Sequence, residues 1–462
     1  MADAPPTDDA LRDDEDAYAL SPDAMREIRD AVEQGDAPRL TALMEPLHPA
    51  DIADLLEQLD QGPRHRLIAL YGREFDGEIL SELDDSIRED VIGALAPDVL
   101  TDAVRELESD DVVDLLEYLD EPTQEAILEV LEASDRVAVE RAMAWPDQSA
   151  GRLMQREVVT APERWTVGDA IDHLRASDDL PDQFYHVVLV DPRHRPVGHV
   201  TLGKLMAADR VTPLADLVEP SFRTIPATQD EEDVAYAFNQ YHLISAPVVD
   251  DAGRLVGVIT IDDAMIVMNE ENEEDLLLLA GVGDESIADR TLQIARQRFP
   301  WLLVNLGTAI LASVVISQFD EVLAALVALA VLMPIVASMG GNAATQSMTV
   351  AVRGLATRDL TGNNALRVLR REVVAAGING AVFAVIMGVI GTIWFGLPML
   401  GVVLGAAMVI NLLVAGLAGV LVPLTLDRLG IDPALASGAF VTTVTDVVGF
   451  FAFLGLAAIV LL

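Results

Sequence analysis

Five long apolar stretches after Trp301 constrain this chain more than any other feature. They run roughly over 301–319, 323–350, 373–395, 400–424 and 434–462. Each is long enough for a helix to cross a bilayer. Lipid offers no partner for a bare amide, so the five are expected as helices. The charge is split to match: of 75 acidic residues, only seven follow Trp301. An acidic water-facing part therefore precedes a membrane part. The net charge of −45 makes nucleic acid a poor partner, because phosphate needs a basic face. Of the 30 basic residues all but Lys204 are Arg, and an acidic, Lys-poor surface suits a halophilic protein working in concentrated salt. Most of the acids are thus read as solvated surface. Without cysteine, disulfides and thiolate metal sites are excluded. The N-terminus has no basic-then-apolar signal sequence, and residues 1–20 are expected as a disordered acidic tail.

The last apolar stretch carries one acid, Asp446. A carboxylate near a bilayer centre costs about 2.5–3.5 kcal/mol on insertion scales, so it marks a functional candidate. Thr442, Thr443 and Thr445 add oxygen atoms within a turn of it. The second stretch contains Pro334, Gly340 and Gly341, expected to loosen its helix, followed by Asn342, Thr345, Gln346 and Ser347. Polar side chains in a span either cross-link helices or line a water-filled path. Beside Asp446, pore lining is the preferred reading.

The soluble part has two patterns. Over 21–148 the periodicity is helical, as in Ile52, Leu55, Leu56, Leu59 and Val112, Leu115, Leu116, Leu119. Residues 53–60 and 113–120 are near copies sixty positions apart, and Pro49, Pro63, Pro97 and Pro122 punctuate short helices. An all-α superhelical N domain follows. From about 149 to 275 the pattern becomes strand, Asp-containing turn, strand ending in Gly-x-x-Thr, then helix, once over 186–206 and again over 245–265. This α/β pair resembles tandem CBS domains, which implies regulation. In the second repeat Thr260 and Asp263 match the CBS ribose-binding pattern, so ATP is a candidate ligand, while Lys204 replaces that acid in the first. An acidic run over 269–275 then joins the pair to a connecting helix over 276–300.

Arg353, Arg358, Arg367, Arg370 and Arg371 crowd the loop after the second span. The positive-inside rule places that loop and the soluble part in the cytoplasm and the C-terminus outside the plasma membrane.

Together these residues resemble the MgtE family of magnesium channels and transporters. The motifs are Gly340-Gly-Asn-Ala-Ala-Thr-Gln-Ser347, Gly354-Leu-Ala-Thr-Arg-Asp-Leu360, Asp432-Pro-Ala-Leu435 and Thr442-Thr-Val-Thr-Asp-Val-Val-Gly449. The resemblance implies a homodimer in membrane lipid, with a pore lined by spans two and five. The two Asp446 carboxylates would face hydrated Mg²⁺ on its axis. It implies a plug helix near 285–299, and regulatory Mg²⁺ ligands at Glu78, Asp110, Asp114, Asp230, Glu232, Asp263, Glu271, Glu274 and Asp275, with Asp432 tying plug to membrane. Ile266 and His242 stand where the family pattern expects acids, and Thr345 where some relatives carry Asn.

The function expected is a Mg²⁺ channel or transporter closed by cytosolic Mg²⁺. A carrier of Co²⁺, Mn²⁺ or Ca²⁺ is the first alternative, although the lack of intramembrane His and Cys disfavours softer ions. A membrane-anchored nucleotide sensor is another, but an anchor needs no Asp446. An enzyme is least expected, since no nucleophile–base pair or phosphate loop is evident.

Overall fold

The computed structural model describes residues 20–117, 119–131, 133–177, 180–181, 183–282 and 291–461. The expected N-terminal tail and the first part of the expected plug helix lie outside the described residues. Two compact units, Met1–Asn269 and Glu270–Leu462, make up the chain.

The N-terminal part of the first unit is helical: α1 (Pro22–Gln34), α2 (Ala37–Met44), α3 (Pro49–Glu57), α4 (Gln61–Tyr71), α5 (Glu78–Ser81), α6 (Asp85–Ala94), α7 (Pro97–Glu106), α8 (Ser109–Glu117), α9 (Glu121–Val130) and α10 (Ala133–Ala142). Proline explains the starts: Pro22, Pro49 and Pro97 open their helices, where the missing N–H would be unsatisfied anyway. Ser21, Asp36, Asp84 and Asp120 accept from the first-turn amides. The eight periodic apolar residues of the repeat are all buried in one core. Helix ends recur as well. Arg64 donates to the Leu56 and Leu59 carbonyls, both at 2.9 Å, and sixty residues on Gln124 donates to Leu116 and Leu119 at 2.7 and 3.0 Å. Arg88 does the same to Leu83 at 2.9 Å. Each satisfies carbonyls that a helix C-terminus leaves unpaired.

The CBS pair follows. A short α11 (Ala150–Leu153) leads to β1 (Thr160–Pro162), α12 (Val167–Ala176), β2 (His186–Val190), β3 (Pro196–Thr201) and α13 (Leu202–Ala207). The second repeat is β4 (Ile225–Pro226), α14 (Glu231–Tyr241), β5 (Ser245–Val249), β6 (Leu255–Thr260) and α15 (Ile261–Ala280). The sheets are alike: β1 parallel to β2 and β2 antiparallel to β3, then β4, β5 and β6 in the same sense. His186 pairs with Thr201, and Ser245 with Thr260, the register implied by the repeat. Ala150 and Met154, which precede the first repeat, pack into the core of the second. Their amide contacts explain it, since Ala150 donates to the Gln229 carbonyl at 2.7 Å and Gly151 to Ala227 at 2.8 Å.

The acidic run is no linker. It is the continuation of α15, which ends at Ala280 where Gly281 turns left-handed (φ +75°). In the second unit α16 (Thr291–Ser317) is one continuous helix through Pro300, so residues 291–300 of the expected connecting helix form a single element with the first span, whereas residues 276–280 end α15. After a short α17 (Asp320–Ala325) come α18 (Ala328–Ala356), α19 (Ala365–Phe395), α20 (Pro398–Arg428) and α21 (Pro433–Val460). Five of these helices are long and apolar enough to cross a membrane. The acids between spans one and two, Asp320 and Glu321, begin α17. Span two, expected to be loosened, stays helical throughout, with Pro334 early in α18. α20 is the central, most buried span, and α16 and α19 are the most exposed.

Candidate functional site

Asp446 lies on α21, half-buried, and no donor or cation of the described residues contacts its carboxylate. Around it the threonine hydroxyls are turned onto their own helix: Thr442 donates to Gly438 at 2.9 Å, Thr443 to Ala439 at 2.5 Å and Thr445 to Thr442 at 2.9 Å. Their protons are used internally, which leaves oxygen lone pairs to face outward. Gly341 on α18 approaches the Thr442 methyl, with 3.9 Å from its Cβ position. Next to that contact α18 exposes Asn342, Thr345 and Gln346, one face by their three- and four-residue spacing. Ser347 turns the other way and donates to Glu372 on α19 at 3.1 Å, which makes it a cross-link between helices.

At the start of the same helix Asp432 caps α21 through the Ala434 amide at 2.8 Å. Asp275 of α15 lies near enough that burial first, and the Asp432 charge second, raise its pKa above the ordinary value. One turn on, Leu278 is buried among Ala344, Met348, Ala415 and Val441 of the spans. Glu271 and Glu274 sit half-buried on the same stretch of α15. Asp432 and Asp446 are fourteen residues apart on one helix, or about 21 Å along its axis.

A third group forms in the first unit. α8 is fastened to the CBS pair at both ends: at its start Ser109 donates to Glu157 at 2.8 Å and Gln155 bonds Glu108, and at its end Arg152 pairs with Glu117 at 2.7 Å. This places Asp110 and Asp111 against Asp263 at the start of α15. Burial and then the Asp263 charge push Asp110 far above the usual carboxylate range. The same causes, in the same order, push Asp111 up to about 7. Asp263 is raised to about 6 by its burial, against hydrogen bonds from Thr260 that act to lower it. Among the described residues no three carboxylate or imidazole groups converge tightly enough to cage a bare ion. That donor set fits a hard cation that keeps its waters, as Mg²⁺ does, held through one or two carboxylates.

The other expected residues are more scattered. Asp114 is ion-paired with Arg88 at 3.0 Å, so its charge is already compensated. Glu78 is exposed at the start of α5, and its charge helps burial to raise Glu82. Asp230 caps α14 through the Glu232 amide at 3.1 Å, and both side chains are exposed. His242 ends that helix in the left-handed region, φ +53°, and Ile266 is 54% exposed on α15. Thr260 donates to Asp263 at 2.5 Å, so the pair expected on a ribose is bonded to itself. Sequence reasoning missed Asp111 and Glu108. A Ser-Asp-Asp helix start reads as an ordinary cap, and only the approach of α15 makes it an acidic cluster.

The comparisons agree with this division of the chain. Residues 333–456 match the family model described as divalent cation transporter, 47–148 the MgtE intracellular N domain, and 150–210 and 214–270 the CBS domain. A magnesium transporter MgtE of Thermus thermophilus is 31% identical over 94% of this chain and 98% of its own. Its counterpart in Bacillus subtilis is 30% identical over 90% and 92%. Among solved structures, the cytosolic domain of the Mg²⁺ channel MgtE in complex with ATP is 30% identical and covers 53% of this chain and 99% of that one, with a TM-score of 0.49. With motifs, domain order and five spans all in register, the chain belongs to the MgtE family of divalent cation transporters.

Proposed function

We propose that this protein conducts Mg²⁺ across the membrane as a homodimer and that cytosolic Mg²⁺ closes it. The observation that carries the reading is Asp446, an intramembrane carboxylate with no counter-charge among the described residues, on the helix that meets the oxygen-rich face of α18 at Thr442. Two such groups facing one another across a two-fold axis would repel until a cation sits between them. Because Mg²⁺ sheds water reluctantly, Asn342, Thr345, Gln346, Thr442 and Thr443 would contact its hydration shell instead of the ion. The soluble unit and the clustered arginines lie on the cytoplasmic side in this reading, and the C-terminus lies outside. Of those arginines only Arg358 is in the loop, while Arg353 ends α18 and Arg367, Arg370 and Arg371 begin α19.

Closure draws on the other two groups of acids. Asp110, Asp111 and Asp263, and separately Asp275 with Asp432, are carboxylates brought together against their own repulsion. A cation stabilises whichever arrangement holds such groups together, and it shifts the population by its differential affinity. Glu78, Asp114, Asp230, Glu232, Glu271 and Glu274 would supply further outer contacts. Adenine nucleotide at Thr260 and Asp263 would have to part the bond between them, and no step here depends on it.

The test is Mg²⁺ flux into proteoliposomes. Asp446→Ala is expected to abolish it, and parental flux in that variant would remove the residue from the path. Competition by Co²⁺, Mn²⁺ and Ca²⁺ in the same assay separates a Mg²⁺ carrier from a carrier of another divalent ion.

A further inference from the structure

The membrane unit holds a buried polar side chain with no role so far. Asn411, on α20, is 1% exposed. Its Nδ2 donates to the Val336 carbonyl on α18 at 2.8 Å, and its Oδ1 has no hydrogen-bond partner among the described residues. An unpartnered carbonyl buried away from water is costly. Were packing the only need, an aliphatic side chain of similar size would serve better.

Two glycines meet this carboxamide from different helices. A Cβ on Gly340 of α18 would lie 2.1 Å from Nδ2, and one on Gly449 of α21 would lie 2.8 Å from the same atom. From Oδ1 both positions are 3.0 Å away. Both helices thus press on the carboxamide, with its nitrogen nearer than its oxygen to the Cβ position of each glycine. Gly340 stands two residues before Asn342, and Gly449 three residues after Asp446. A single amide is therefore wedged between the two helices that carry the proposed path, level with its carboxylate.

We propose that Asn411 is a positioning residue that sets the separation of α18 and α21 at Asp446, and through it the selectivity among divalent cations. This rests on the reading of Asp446 as a pore residue. The bond to Val336 fixes Asn411 to α18, and Gly449 brings α21 against the same carboxamide. A passage sized for a water-coated ion discriminates by width, so a change in that spacing alters the ratio between Mg²⁺ and Ca²⁺, which hold water and ligands differently.

The experiment measures Ca²⁺ and Mg²⁺ flux in proteoliposomes per unit of folded protein. Asn411→Ala is expected to raise the Ca²⁺ to Mg²⁺ ratio by about threefold to tenfold, the scale of one lost hydrogen bond. Gly340→Ala alone should lower both fluxes, since its methyl meets Asn411. The double variant puts that methyl into the vacated space and should return the ratio to within about twofold of the parent. A purely structural role would change the yield of folded protein and leave the ratio alone. Should Asn411→Ala not fold, Asn411→Ser, too short to reach Val336, is read in its place. A parental ratio in the single variant, or a double variant no nearer the parent, overturns the inference. Asp446→Ala keeps the two claims apart: normal flux there defeats the pore reading, whereas its silence beside a parental ratio in Asn411→Ala defeats only this one.

Discussion

Asp111 illustrates what a single residue contributes here. Its pKa of about 7, against an ordinary 3.8, means that the folded protein holds a proton that the unfolded chain has lost over that interval. Stability therefore falls as pH rises from about 4 to about 7, and the penalty is complete above that range. His186 works in the opposite sense. Burial first and the His199 charge second lower it to about 4, so wild-type stability alone would mix the two. The informative measurement is a difference. With a chelator present, Asp111→Asn is expected to raise the melting temperature of the soluble unit at pH 8, with the gain shrinking toward pH 4. Under the proposed closure, saturating Mg²⁺ removes the gain at pH 8, because the variant lacks a carboxylate proposed to hold the cation. A gain of equal size at both pH values would show that the charge is not the cause.

At the scale of elements, local chemistry was legible and junctions were not. The helix starts of the N domain could be read from Pro and Asp, and the CBS register from the paired Gly-x-x-Thr ends. The acidic run over 269–275 reads as a charged stretch joining the CBS pair to the membrane part, and its sequence does not show how far the helix that carries it extends. In the structure it is the second half of α15, carried on by Leu276 to Leu279 until a glycine ends it. Gly281 makes a sharp test of that junction. Its φ of +75° suits no side chain, and a Cβ would lie 1.9 Å from Nε1 of Trp301. Gly281→Ala is expected to cost about 1 kcal/mol or more, seen as a lower melting temperature and faster amide exchange over residues 276–282. Unchanged exchange there would mean that Trp301 does not hold this turn.

For the whole molecule, the gating proposed above is a property that no element would have alone. Neutralising Glu271, Glu274 and Asp275 together, as Gln, Gln and Asn, is expected to leave flux open at cytosolic Mg²⁺ that closes the parent. Closure at the parental concentration would place the sensor elsewhere, with Asp110, Asp111 and Asp263 the next to test. The sequence by itself determined the five spans, the repeat in the N domain, the CBS pair and the family, because hydropathy, periodicity and motif spacing are properties of contiguous residues. Tertiary structure alone decided which carboxylates meet. Asp110 faces Asp263, Asp275 faces Asp432, and Asn411 fits between Gly340 and Gly449, although each set is far apart along the chain. Such meetings depend on how helices pack. Packing is a sum over many weak contacts that no short stretch of sequence contains.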